Sequence, residues 1–255
     1  MAILLIYLLI GACLYFLQEC FLFHPRSLPA DHRFSFSQPF EEMKIPFGKT
    51  NLNLIRFMAG GQRKGIVLFF HGNRENVEHY KQYPALFTQH GYEVWMMDYP
   101  GFGKTTGPRS ESILYEQALV VYRLAGEQVH SDSILVYGKS IGTGIAAYLA
   151  ANRTCRQLIL ETPYYSMKEL AGHYFPIYPV GVMIRYAFPV HDYVGQFHKQ
   201  VTVFHGTDDG VVPYEQSQRL AAAFPFVELV TIEKGKHNDL FHFPVYHQKM
   251  NELLR

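Results

Sequence analysis

From residue 40 onward, short apolar runs alternate with amphipathic stretches. Residues 66–71 (IVLFFH), 92–98 (YEVWMMD), 134–138 (ILVYG), 157–161 (QLILE), 200–205 (QVTVFH) and 227–233 (VELVTIE) predict strands. Several are apolar almost without a break, as strands are when helices cover both faces of a parallel sheet. Residues 51–58 (NLNLIRFM) alternate only in part and predict an early antiparallel strand. Between the runs, amphipathic patterns predict helices near 110–127, 142–151, 214–223 and 239–254. Ser110 stands at the start of the first without a full capping box, Glu111 suits the positive end of its dipole, and Pro213 suits the start of the third. This alternation predicts one doubly wound α/β domain over 40–255, with no internal repeat.

Two segments break the rhythm. Ala2 to Leu17 is uncharged and apolar, followed by Gln18, Glu19 and a further apolar stretch to Phe23. The uncharged run has 16 residues and the whole run 22, against the roughly 17–25 that span a bilayer. Residues 1–23 therefore read as a single-pass membrane anchor and 24–39 as a connector. Arg26 and Arg33 follow the segment and nothing basic precedes it, so the charge bias leans towards a cytoplasmic catalytic domain. A cleaved signal lacks its basic leader, and Ile10-Gly11-Ala12-Cys13 resembles a lipoprotein box with the same deficiency. The second irregular segment, 164–196, is rich in tyrosine and proline. It reads either as extra packing on the sheet edge or as a small cap over a pocket.

Composition narrows the partners. Lys+Arg is 23 and Asp+Glu 22, a net of +1 with no basic run, so the stripe that nucleic-acid binders use against phosphates is missing. Forty-eight per cent hydrophobic residues exclude a disordered chain. Cys13, Cys20 and Cys155 are an odd set without C-x-x-C spacing, which offers neither a disulfide framework nor a thiolate metal site.

The chemistry concentrates at Gly138-Lys139-Ser140-Ile141-Gly142. This G-x-S-x-G follows an expected strand and opens an expected helix, the context of a nucleophile elbow that lifts a serine hydroxyl clear of a sheet. A serine needs a base to take its proton and a carboxylate to orient that base. The strand at 200–205 runs into Asp208 and Asp209, and a carboxylate at the carboxyl end of a parallel strand points to the ligand crevice. The next strand ends in Lys234-Gly235-Lys236-His237, which sets His237 beside the elbow. The order serine, acid, histidine is the one this strand arrangement uses.

With HGNREN (His71 to Asn76), DYPGFGKTTG (Asp98 to Gly107), GKSIG (138–142), HGTDDGVVP (His205 to Pro213) and GKHND (Gly235 to Asp239), the chain resembles the α/β-hydrolase superfamily. The likeness is to its membrane-anchored serine hydrolases of the aminopeptidase-like or esterase-like branch. It spans about residues 40–255 and implies a mostly parallel, helix-flanked sheet with a small cap insertion. It also implies Ser140 as nucleophile, His237 as general base and Asp209, rather than Asp208, as the acid. The backbone N–H groups of Ile141 and Asn73 are implied as oxyanion donors. Arg74 and Pro100 depart from the residues common in the family, which bears on substrate more than on the triad.

Other signals fail. Gly103-Lys104-Thr105 ends like a phosphate loop, yet Asp98 stands where a glycine is required; Gly101-Phe102-Gly103 lacks the third glycine of a dinucleotide fingerprint. His237, His242 and His247 are five apart and no H-E-x-x-H occurs, so no metal or cofactor is expected. His71 and His205 read as structural hydrogen-bonders. The expected activity is hydrolysis of carboxylic esters or thioesters of a small-molecule or lipid-like acyl substrate through an acyl-enzyme on Ser140. Peptide hydrolysis on the same triad and a non-catalytic binding or scaffold role are the alternatives.

Overall fold

The structure, a computed structural model, describes all 255 residues. In chain order the amino-terminal part comprises helices α1 (Ala2–Phe16) and α2 (Gln18–Leu22) and a two-residue strand β1 (His24–Pro25). Then follow β2 (Phe40–Phe47), β3 (Thr50–Phe57), β4 (Gly65–Phe70), the short β5 (Arg74–Glu75), α3 (Pro84–Thr88) and β6 (Tyr92–Met97). The next elements are α4 (Glu111–Gly126), β7 (Ile134–Lys139), α5 (Gly142–Asn152) and β8 (Gln157–Glu161). Three helices, α6 (Met167–Tyr174), α7 (Val180–Met183) and α8 (Val190–Phe197), precede β9 (Val201–Gly206), α9 (Tyr214–Ala223), β10 (Val227–Ile232) and α10 (Pro244–Leu253).

Eight strands form one sheet in the order β10-β9-β8-β7-β4-β6-β3-β2, parallel from β10 to β6 and antiparallel for β3 and β2 at the edge. Every residue of β4 is buried because alternate side chains enter two cores. Ile66, Leu68 and Phe70 pack with α4, α5 and α8, whereas Val67 and Phe69 pack with α3 and α10. This is the doubly wound arrangement the apolar runs predict. The seven expected strands begin and end within one residue of the observed ones. Ser110 does cap α4, its hydroxyl accepting the N–H of Ile113 at 3.2 Å. The expected helix at 239–254 is interrupted: Phe243 is extended and Pro244, with no N–H to donate, restarts the helix as α10. The 164–196 segment divides between its two readings. Its α8 belongs to the core against α5, while α6 and α7 lie over a cavity at the carboxyl ends of the strands.

The expected single-pass anchor at residues 2–23 is overturned, and with it the lean towards a cytoplasmic catalytic domain. No helix of the chain is long and apolar enough to cross a membrane. The 15-residue α1 rises about 22 Å, short of a hydrocarbon core of about 30 Å. The chain breaks at Leu17, and the polar pair that follows is engaged by protein. Gln18 is buried, donates to the carbonyl of Met183 at 3.2 Å and accepts the N–H of Arg185 at 2.8 Å. Glu19 accepts the Tyr186 hydroxyl at 3.0 Å and pairs with Arg109 at 3.4 Å. Apolar Phe23 ends in the core, its ring edge-on to Tyr186 and under the Arg109 guanidinium.

Candidate active site

Strand β7 delivers Gly138 and Lys139 to a sharp turn in which Ser140 holds φ at +52°. A non-glycine residue in this region is strained, and that strain aims the serine side chain out of the sheet. The flanking glycines are required by contact. A Cβ on Gly142 would lie 2.2 Å from the carbonyl oxygen of Phe70, and one on Gly138 would lie 2.6 Å from that of Gly142. Any larger residue at either position pushes α5 off the strand ends.

The structure brings Ser140, His237 and Asp209 together from three separate loops. Ser140 Oγ is 2.8 Å from His237 Nε2, and His237 Nδ1 is 2.8 Å from Asp209 Oδ2. Ionised Asp209 can only accept, so Nδ1 carries the imidazole proton and Nε2 is free to take one from the serine. The other oxygen of Asp209 accepts the N–H groups of Val211 and Val212 at 2.8 and 2.9 Å. Burial pushes the Asp209 pKa up. Hydrogen bonds from His205 and His237 and from the Val212 amide outweigh it and hold the group well below the usual carboxylate range. Asp208, one residue earlier, is exposed, and its carboxylate meets only the hydroxyl of Thr207.

The sequence marks His205 as a structural hydrogen-bonder but does not show its partners. Its Nε2 lies 3.0 Å from the Val212 carbonyl and 3.2 Å from Asp209 Oδ2, both acceptors, so Nε2 bears the proton. Its Nδ1 then accepts the Ser217 hydroxyl at 2.6 Å. Asp209 is thus held by two histidines. The pattern H-G-x-D-D was the available signal, since His205 and Asp209 stand four apart around a strand end.

A second network missed from sequence lies beneath the elbow. Lys139 donates to Glu161, and to the carbonyl of His237 at 3.2 Å. Glu161 also accepts the hydroxyls of Tyr83, Tyr137 and Tyr246. Burial pushes Glu161 up in pKa, but the Lys139 charge and these donors bring it below its ordinary value. His71 behaves as read. It is fully buried, its ring nitrogen 3.4 Å from Asp98, and its carbonyl accepts the Tyr99 hydroxyl at 2.7 Å. These contacts fix the start of the loop that carries Asn73. Arg74 is exposed in β5, outside the cavity lining.

Ser140, Ile141 and Asn73 line one cavity of about 320 Å³, and no charged residue lines it. Its walls come from α6 and α7 (Met167, Leu170, Met183) and from the amino-terminal segment, through Leu14, Phe21 and Leu22.

The family model for serine aminopeptidase, S33, matches residues 61–188, half of the chain. The chain belongs to this family of α/β hydrolases. The alpha/beta hydrolase domain-containing protein 17C of Xenopus tropicalis is 28% identical over 192 residues, which cover 74% of this chain and 61% of that protein. An uncharacterized protein of Mycobacterium tuberculosis is 30% identical over 152 residues, covering 58% of this chain and 54% of its own length. The chain therefore spans under two thirds of these relatives. Among solved structures, an esterase of Pyrococcus furiosus superposes with a TM-score of 0.67 at 18% identity, over 91% of this chain and 96% of that one. A soluble variant of monoglyceride lipase from Saccharomyces cerevisiae superposes with a TM-score of 0.65 at 16% identity, over 89% and 97%. At these identities the likeness shows the fold.

Proposed function

We propose that this S33-family member is a serine hydrolase that cleaves carboxylic esters or thioesters of an acyl substrate through an acyl-enzyme on Ser140. The 2.8 Å contacts linking Ser140, His237 and Asp209 at the base of an uncharged apolar cavity carry this reading. His237 Nε2 takes the serine proton as Oγ attacks the acyl carbon. The tetrahedral oxyanion is met by the backbone N–H groups of Asn73 and Ile141, and His237 returns the proton to the departing alcohol or thiol. Water then enters on the same face, His237 takes its proton, and the acid leaves as the Ser140 oxygen recovers that proton. Asp209 keeps Nδ1 protonated and stabilises the imidazolium formed in each half. Fixed amide donors need no reorganisation as charge develops, and losing one typically costs a hundred- to a thousandfold in rate.

The name of the family favours a second reading, aminopeptidase action. An exopeptidase of that kind recognises a charged amino terminus, and the cavity lining supplies no carboxylate to do so. Labelling with a fluorophosphonate, together with hydrolysis of p-nitrophenyl esters, acyl thioesters and aminoacyl anilides, tests both. Labelling that disappears in Ser140→Ala, with ester or thioester turnover well above anilide turnover, is the expected result. Turnover of the anilides alone transfers the assignment to a peptidase. Folded native chain that neither labels nor turns over any substrate refutes catalysis at Ser140.

A further inference from the structure

The amino-terminal segment reaches the candidate site at two places. Leu14 on α1 and Phe21 and Leu22 on α2 form one wall of the cavity that holds Ser140. Immediately after them, the His24 N–H donates to the Asn73 carbonyl at 2.8 Å, as β1 pairs alongside β5. The segment is clamped to the helices that supply the opposite wall. Gln18 bridges the backbone of Met183 and Arg185, and Glu19 holds Tyr186. One α-helical stretch earlier, Tyr7 stacks on Tyr178 with ring centroids 4.6 Å apart and donates to the Ile177 carbonyl at 3.0 Å. A segment held at both ends, with apolar side chains turned into a reaction cavity between the clamps, is a substrate wall.

We infer that Leu14, Phe21 and Leu22 bind the acyl chain of the substrate and that Leu14 sets its preferred length. This rests on the serine-hydrolase reading for its chemistry but not for its binding geometry. A methylene takes up about the volume of a water in the liquid, roughly 30 Å³, so 320 Å³ accommodates on the order of ten. Each methylene buried there improves transition-state binding by up to about fourfold. Enlarging the wall lengthens the preferred chain; filling it at Leu14, ten residues ahead of the His24 contact with the Asn73 loop, shortens the chain and should spare a two-carbon acyl group.

The test is the chain-length profile of kcat/KM for p-nitrophenyl esters from acetate to tetradecanoate, with the whole 255-residue chain. Native chain rises to a maximum near ten carbons. Leu14→Trp moves the maximum down by at least two carbons and lowers decanoate turnover tenfold or more, while acetate turnover stays within about threefold. Leu14→Ala moves the maximum up. Leu9→Trp, on an exposed part of α1 outside the cavity lining, leaves the profile unchanged. Profiles that keep their maximum in both Leu14 variants, or fall in parallel at every length including acetate, overturn the inference. If no ester turns over and the fluorophosphonate does not label, the hydrolase reading fails. Calorimetric binding of sodium decanoate then decides the wall by itself: binding weakened at least tenfold in Leu14→Trp and unchanged in Leu9→Trp sustains it, and equal or absent binding refutes it.

Discussion

Asp208 and Asp209 are the same residue type one position apart, and their surroundings give them opposite tasks. Asp209 accepts four hydrogen bonds, from His237, His205 and two backbone amides, whereas Asp208 faces solvent. Asp209→Asn replaces an obligate acceptor with a group that can donate, which favours the wrong imidazole tautomer; kcat/KM for an ester should fall about ten-thousandfold. Asp208→Asn should stay within about threefold, and equal losses in both would remove Asp209 from the proposed triad. His205 makes a finer case. A hydrogen bond to a charged group contributes about 1.5–3 kcal/mol, so His205→Leu should lower kcat/KM roughly ten- to a hundredfold if that bond orients Asp209 during turnover. His205→Gln, with an amide able to reach where Nε2 stood, should recover part of the loss. Unchanged kcat/KM in folded His205→Leu would make His205 a packing residue only.

At the scale of elements, the parallel strands were readable because burial on both faces leaves few compositional options. The elbow was readable because Gly138 and Gly142 answer a steric demand that no other residue meets. Strand β2 escaped notice as an edge strand with alternating burial, carrying Pro46 where an unpaired N–H costs nothing. The amino-terminal helix was misread for a physical reason. An apolar run does not show where its helix will end: α1 leaves most of its side chains exposed, and its 15-residue length, the Leu17 break and the partners of Gln18 mark it as too short to span. Nor does sequence show which distant groups meet, so the joining of Lys139 on β7 to Glu161 on β8 and to the His237 loop was invisible. That joint is testable. Lys139→Met leaves a buried carboxylate with tyrosine donors alone, and breaking a buried pair from one side costs about 3–5 kcal/mol. Chemical denaturation should show a loss of that size, much of it recovered in Lys139→Met/Glu161→Gln. A double variant as unstable as the single one would show that the charge is not what the fold needs there.

Across the whole molecule, acid should loosen the fold before it affects any one loop. Glu161, Asp209 and Glu93 are all pushed up by burial and pulled further down by their partners; for Glu93 these are chiefly Arg56 at 2.9 Å and Trp95 at 3.1 Å. Each carboxylate therefore binds its proton less readily in the folded chain than in the unfolded one, where the ordinary values lie near 4. A group of this kind adds stability that is fully present above about pH 4.5 and is lost as the pH falls through its lowered folded value. Asp98 runs the other way: burial pushes its pKa up, ahead of the opposing His71 contact, so the cost of its charge is relieved as acid neutralises it. Three groups against one set the sign. Urea midpoints for the full chain should change little between pH 7 and 5 and drop steeply below about 4. Glu93→Gln/Arg56→Met removes one of the three titrations without leaving that pair half-charged, and its drop should be shallower than the native one. A native midpoint that holds level or rises below pH 4 would mean that the buried carboxylates do not govern acid stability, and that the Lys139–Glu161 joint in particular tolerates protonation.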